Sequence, residues 1–132
     1  MAEKESRFLK KSEYKLKDLE LRLEEGDKVL ECIKTSMRNY AISKGEIVLF
    51  KGHLSSMNLT AFQGAKMRNL IYDQELELTK GIGEFRYDIV NDDLFGRVRI
   101  NYKENGKIFD GILTKGVVAT RGLKIVLRYL DV

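Results

Sequence analysis

The sequence predicts a mainly β (or α+β) fold, a small antiparallel β-barrel or sandwich with an N-terminal helix and room for one further short helix. Three observations predict it. Apolar and polar residues alternate on both sides of the dipeptide Asn105-Gly106. Glycines punctuate short apolar runs at Gly26, Gly45, Gly52, Gly81, Gly83, Gly96, Gly106, Gly116 and Gly122, the spacing of strands joined by turns. The runs themselves are half polar, which suits antiparallel strands with one wet face rather than the continuously apolar strands of a parallel sheet. At 132 residues with no proline and no linker or repeat, the chain reads as one domain over 1–132, with a helix over 1–17 and a β-rich body over 18–132.

Taken in order, Leu9, Leu16, Leu19 and Leu23 follow helical spacing, with Ser6 or Ser12 placed to cap a short helix over roughly 4–16. Leu19, Leu21 and Leu23 also alternate. They lead through a turn at Glu24-Glu25-Gly26-Asp27 into Lys28–Ile33, so a hairpin is expected there. Residues 46–51 (EIVLFK) form an apolar strand. The stretch 59–73 tolerates a helix on the spacing of Leu59, Phe62, Met67, Leu70 and Ile71, although Gly64 weakens it by about 1 kcal/mol relative to Ala. Glu75–Leu78 and Phe85–Ile89 alternate as strands. Gly81-Ile82-Gly83 reads as a hairpin loop and Asp92-Asp93 as a turn.

The strongest local signal is the hairpin around Asn105-Gly106, the preferred pair for a type I′ turn. A two-residue loop sets 104 opposite 107, 102 opposite 109, 100 opposite 111 and 98 opposite 113. One face then carries Val98, Ile100, Tyr102, Phe109 and Leu113. The other carries Arg97, Arg99, Asn101, Lys103, Asp110 and Thr114, together with Ile108 and Ile112. The last strand repeats the pattern, with Leu123, Ile125, Leu127 and Tyr129 on the core side and Lys124, Val126 and Arg128 on the other.

Charge is mildly basic overall, +4 from 24 Lys+Arg and 20 Asp+Glu, but it is laid down in blocks. Residues 1–33 are nearly balanced, 34–70 hold six basic groups against Glu46, 71–93 hold seven acidic against two basic, and 94–132 hold eight basic against three acidic. Blocks of opposite sign pair across strands or between subunits. The basic ones alternatively form a surface for a polyanion.

Catalysis finds little support. With one cysteine and one histidine, the chain lacks a disulfide framework, a multi-cysteine metal site and any chemistry needing two histidines. Cys32 lies in an apolar run and reads as a buried, inert thiol. His53 reads as a surface residue, and Glu75/Glu77 as the wet face of a strand. Gly81-Ile82-Gly83 lacks the third glycine and following helix of a dinucleotide site. No enzyme activity, cofactor or metal is expected.

Residues 97–128 resemble part of an Sm-like RNA-binding domain in Val98-x-Ile100, Asn105-Gly106-Lys107-x-Phe109-x-Gly111-x-Leu113 and Leu123–Leu127. Val118-Ala119-Thr120-Arg121 stands where that family has an acidic residue and an asparagine. Thr120–Ile125 is similar to the tail of the Asp-x-Ser-x-x-Gly strand of PilZ receptors, without its Asp and Ser. Arg86 stands alone where that family has an arginine pair. Neither family is assigned.

The leading expectation is a non-catalytic binding module that recognises RNA or single-stranded DNA through Arg97, Arg99, Lys103, Lys124 and Arg128, provided the last strand pairs near the hairpin. Tyr102 and Tyr129 fall on core faces and are not free to stack on bases. One alternative is a structural or assembly subunit working by self-association or contact with another protein. Another is a small-ligand or second-messenger receptor. With no apolar run of spanning length and no apolar stretch behind the charged N-terminus, a cytoplasmic protein without membrane insertion is expected.

Overall fold

The computed structural model describes residues 15–131. Six antiparallel strands and one helix make up this part of the chain: β1 (Lys15–Leu23), α1 (Val29–Asn39), β2 (Lys44–Gln63), β3 (Lys66–Tyr72), β4 (Leu76–Asp88), β5 (Asp93–Glu104) and β6 (Lys107–Asp131). The sheet order is β1-β6-β5-β4-β2-β3, and β2 also pairs with β6, so β2, β4, β5 and β6 close a circuit. The fold is a β-barrel, mainly β as its alternation predicts, with β1 and β3 as its two edge strands.

Two long strands organise it. β2 spans 20 residues and β6 spans 25. They run antiparallel through four register shifts, between Ile47/Leu49, Gly52/Leu54, Leu54/Ser56 and Asn58/Leu59. Irregularities of this kind bend a strand and increase its twist, which lets two strands serve both walls of a barrel. The β5–β6 hairpin has the register its turn dictates: Glu104 opposite Lys107, Tyr102 opposite Phe109 and Ile100 opposite Gly111. Asn105 and Gly106 both have positive φ, as a type I′ turn requires.

The interior is filled by the inward residues of every strand, among them Ile47, Phe50, Leu54, Phe85, Val98, Ile100, Leu123, Ile125 and Leu127. α1 contributes Val29, Ile33 and Met37, all fully buried. Their spacing of four keeps them on one helical face. The helix start is tied to β6, since the Gly26 amide donates to the Val118 carbonyl and the Val118 amide to the Asp27 carbonyl, each at 2.9 Å.

Several sequence expectations change. The helix over 1–17 falls on residues outside those described as far as 14, while Lys15, Leu16 and Lys17 belong to β1. β1 pairs with β6, from Lys15 opposite Asp131 to Leu23 opposite Leu123, and not with Lys28–Ile33. That segment, including Cys32, opens α1. The helix over 59–73 is instead the β2–β3 hairpin, turning at Gly64-Ala65. Leu59 and Ala61 point inward, whereas Phe62, Met67 and Ile71 lie exposed on the opposite face, so apolar residues on both faces imitate a helical period. Gly81 and Gly83 sit inside β4 and not in a loop. A Cβ on Gly81 would lie 2.4 Å from Cβ of Phe50, and one on Gly83 would lie 2.1 Å from the Arg97 carbonyl oxygen. Close packing, not a turn, requires glycine there.

Candidate nucleic-acid interface

All five sequence-predicted cations are exposed, because strand alternation turns Val98, Ile100, Tyr102, Leu123, Ile125 and Leu127 inward. They lie on β5 and β6, but not on stretches of those strands that pair with each other. Residues 107–112 of β6 pair with β5, whereas 123–128 pair with β1 and β2. The bend in β6 therefore separates Lys124 and Arg128 from the cations of β5.

Arg128 and Arg97 share one cross-strand row, which reads Asp18, Arg128, Glu46, Glu84, Arg97 across β1, β6, β2, β4 and β5. Three strand spacings put roughly 14 Å between the two arginine backbones, with two glutamates between them. Arg128 is held by Asp18 through Nε at 2.9 Å and Nη2 at 3.2 Å. That contact holds Asp18 below the ordinary carboxylate range and raises Arg128. Arg99 pairs with Asp110 at 3.8 Å, Lys103 with Glu77 at 3.3 Å and Lys124 with Glu20 at 3.4 Å.

The blocks of opposite charge thus pair within the chain. Glu84 takes Lys44 and Arg86, and Asp92 takes Lys34 and Arg38. Exposed pairs of this kind contribute little stability each and exchange readily for another anion.

A second row is different in sign. Arg22 on β1, Lys124 on β6 and Lys51 on β2 stand opposite one another, three cations abreast. Glu20 serves two of them, Arg22 at 2.8 Å and Lys124 at 3.4 Å, and the Arg22 contact leads in holding its carboxyl low. Arg22 and Lys51 were not among the predicted site residues. Their place depends on the pairings Arg22 opposite Lys124 and Lys51 opposite Lys124, between strands far apart in sequence, which no local pattern encodes.

Tyr102 is buried, Tyr129 half-buried, and Tyr40 exposed at the end of α1, so base stacking has one ring at most among these three. Cys32 is half-buried on α1, and burial, with Asp27 and Glu31 nearby, pushes its thiol up, away from the thiolate a nucleophile needs. Among the described residues no group of three or more His, Cys, Asp and Glu side chains is placed to hold a metal ion. No helix among them is long and apolar enough to cross a membrane.

A strand-built barrel of this kind, closed by two long bent strands and plugged by one helix, is a recognisable class. The model of the Plants and Prokaryotes Conserved (PCC) domain matches residues 11–131, and the chain belongs to that family. No curated protein matches it. Among solved structures, a plant- and prokaryote-conserved protein of Pyrococcus horikoshii is similar at 22% identity and a TM-score of 0.73, over 90% of this chain and 82% of that one. A metal-containing protein of Archaeoglobus fulgidus is similar at 16% identity and a TM-score of 0.72, over 87% and 80%. A candidate DNA-binding protein of Bacteroides thetaiotaomicron is similar at 12% identity and a TM-score of 0.70, over 88% and 83%. These likenesses are of fold. The partial Sm-like and PilZ-like patterns fall on the tight, twisted β5–β6 hairpin and the continuation of β6, in a different family.

Proposed function

We propose that this PCC-domain chain is a non-catalytic module that binds single-stranded RNA or DNA by its sugar-phosphate backbone. The cations are those of the row Arg22, Lys124 and Lys51, with Arg128 two outward-facing rows further along β6, past the row of Glu20, Val126 and Leu49. The observation that carries the reading is that row, three basic side chains in register on adjacent strands with one acid between them. The Bacteroides relative, described as a DNA-binding candidate, supports it. Binding would proceed by displacement of Glu20 and Asp18 and release of counterions from phosphates, with little reading of bases. Arg97, Arg99 and Lys103 lie beyond Glu46 and Glu84 and contribute less.

The experiment is fluorescence anisotropy with labelled single-stranded RNA and DNA at two salt concentrations. The wild type is expected to bind, more weakly at the higher salt. Lys51→Glu/Lys124→Glu is expected to lose affinity and flatten the salt dependence, and Arg97→Glu/Arg99→Glu to change both less. No binding at low salt, or equal loss in the two double variants, overturns the reading.

A further inference from the structure

Outward-facing residues of the barrel wall fall into parallel rows of different character. The first is basic, Arg22, Lys124 and Lys51. On β6 and β2 the second is aliphatic, the half-buried Val126 opposite the exposed Leu49. The third is Arg128, Glu46, Glu84 and Arg97. Ile82, two residues before Glu84 on β4, turns to the same face and is 54% exposed. A cavity of about 560 Å³ opens over the third row, with Glu46, Ile82, Glu84, Arg97 and Arg99 in its lining.

Most charges around this cavity are already engaged. Arg128 is held by Asp18, Arg99 by Asp110, and Glu84 takes Lys44 and Arg86. Glu46 and Arg97 are different, since neither makes a hydrogen bond or ion pair among the described residues. Their backbones stand two strand spacings apart, roughly 10 Å, with Glu84 between them. One carboxylate and one guanidinium are thus free at two sides of a cleft that also offers an aliphatic side chain. A guanine base is complementary to that set. Its N1–H and N2 amino donors match the two oxygens of one carboxylate, and its O6 and N7 acceptors match an arginine fork. Its flat ring packs on an aliphatic side chain. Adenine and cytosine offer a carboxylate one donor beside an acceptor, and uracil and thymine one donor between two carbonyls.

We infer that this cleft holds a guanine base of the bound single strand, with Glu46 on its N1–N2 edge and Arg97 on its O6–N7 edge. The inference rests on the phosphate-binding reading of the Arg22–Lys124–Lys51 row and adds to it the selection of one base. From Lys124 to Arg128 along β6 is roughly 13 Å, a distance that a short stretch of extended strand crosses over Val126 and Leu49.

The test is fluorescence anisotropy with labelled oligothymidylate that carries thymine, guanine, hypoxanthine or 7-deazaguanine at its centre. Hypoxanthine lacks the N2 amino group, and 7-deazaguanine lacks the N7 acceptor. The wild type is expected to bind the guanine strand about fivefold tighter than the all-thymine strand, and to lose part of that gain with either analogue. Glu46→Gln is expected to bind the guanine and hypoxanthine strands alike, and Arg97→Gln the guanine and 7-deazaguanine strands alike. Each comparison is a ratio within one variant, so a reduced folded fraction cancels. Lys51→Glu/Lys124→Glu is expected to weaken all four strands by one factor. Guanosine monophosphate, which makes no contact with the basic row, is expected to displace the guanine strand only at far higher concentration than the unlabelled strand does. Wild-type binding that is equal for guanine and thymine overturns this inference and leaves the phosphate reading standing. No binding of any strand at low salt overturns both. A guanine preference kept whole in the two variants overturns the inference alone. So does displacement by guanosine monophosphate as readily as by the strand, which would mean a site for a free nucleotide.

Discussion

The hydroxyls of Tyr72 and Tyr102 lie 2.9 Å apart, joining the last residue of β3 to the inner face of β5. The rings meet edge to face, with centroids 5.4 Å apart, and Phe109 packs against Tyr102 at 5.9 Å. Tyr102 is almost wholly buried, at 1% exposure. This pair attaches the edge hairpin to the barrel wall and closes one end of the core.

Removing one hydroxyl leaves the other short of its partner in a buried setting, at a cost of about 1–3 kcal/mol, whereas removing both takes away the unmet polar group. Tyr72→Phe is therefore expected to lower stability to urea more than Tyr72→Phe/Tyr102→Phe does. Burial, followed by the bond to Tyr72, raises the Tyr102 phenol above its ordinary value of 10.0. The folded state therefore holds this proton more tightly than the unfolded chain. The resulting stability is complete below pH 10 and is lost as pH rises above it. Tyr102→Phe should flatten the alkaline limb of a stability profile. An unchanged limb would place the titrating group elsewhere.

Helix α1 ends in a way that the sequence hides. The Ile42 amide donates to the Met37 carbonyl at 2.8 Å and the Ala41 amide to the Arg38 carbonyl at 3.3 Å, the two bonds of a Schellman cap. Ala41 has φ of 54° in the position that glycine normally takes. An L-residue there is strained by about 1–2 kcal/mol, part of which glycine gives back through its freer unfolded state. Ala41→Gly is expected to raise stability by about 0.5–1 kcal/mol, read as a higher urea midpoint at constant slope. A lower midpoint would show that the cap tolerates Ala41 without strain.

The same residues explain what could be read from the chain and what could not. The β5–β6 hairpin was legible to the register, because Asn105-Gly106 is a local signal with one geometric outcome. The inward residues Val98, Ile100 and Tyr102 of β5 and Leu123, Ile125 and Leu127 of β6 followed from alternation, whereas Phe109, on the same expected face, is exposed. α1 was not legible, since Lys28 makes no side-chain cap and Ala41 stands where a terminating glycine would mark the end. The β2–β3 hairpin was misread because Phe62, Met67 and Ile71 put apolar residues on its outer face. The five candidate cations were correctly turned to the surface. Their grouping depends on which strands flank each half of β6, a long-range property set by the register shifts of β2, and this is why Lys51 and Arg22 went unmarked.

Asp92 gathers the end of α1 and the β4–β5 turn around one carboxylate. It accepts a hydrogen bond from the Tyr87 hydroxyl and pairs with Lys34 at 3.4 Å and Arg38 at 3.3 Å. The Tyr87 bond, then the two cations, hold Asp92 below its ordinary value of 3.8. A lowered carboxyl contributes stability that is present above the unfolded value and lost as pH falls through the folded one. Asp92→Asn keeps the shape and removes the charge. The wild type should lose melting temperature on acidification from about pH 5, and the variant should lose less of it over the same interval. Amide exchange in the last turn of α1 should be faster in the variant at neutral pH and close to that of the wild type in acid. Equal acid slopes would mean that Asp18, Glu20 and Asp88, whose carboxyls are also held low, carry the acid sensitivity without it.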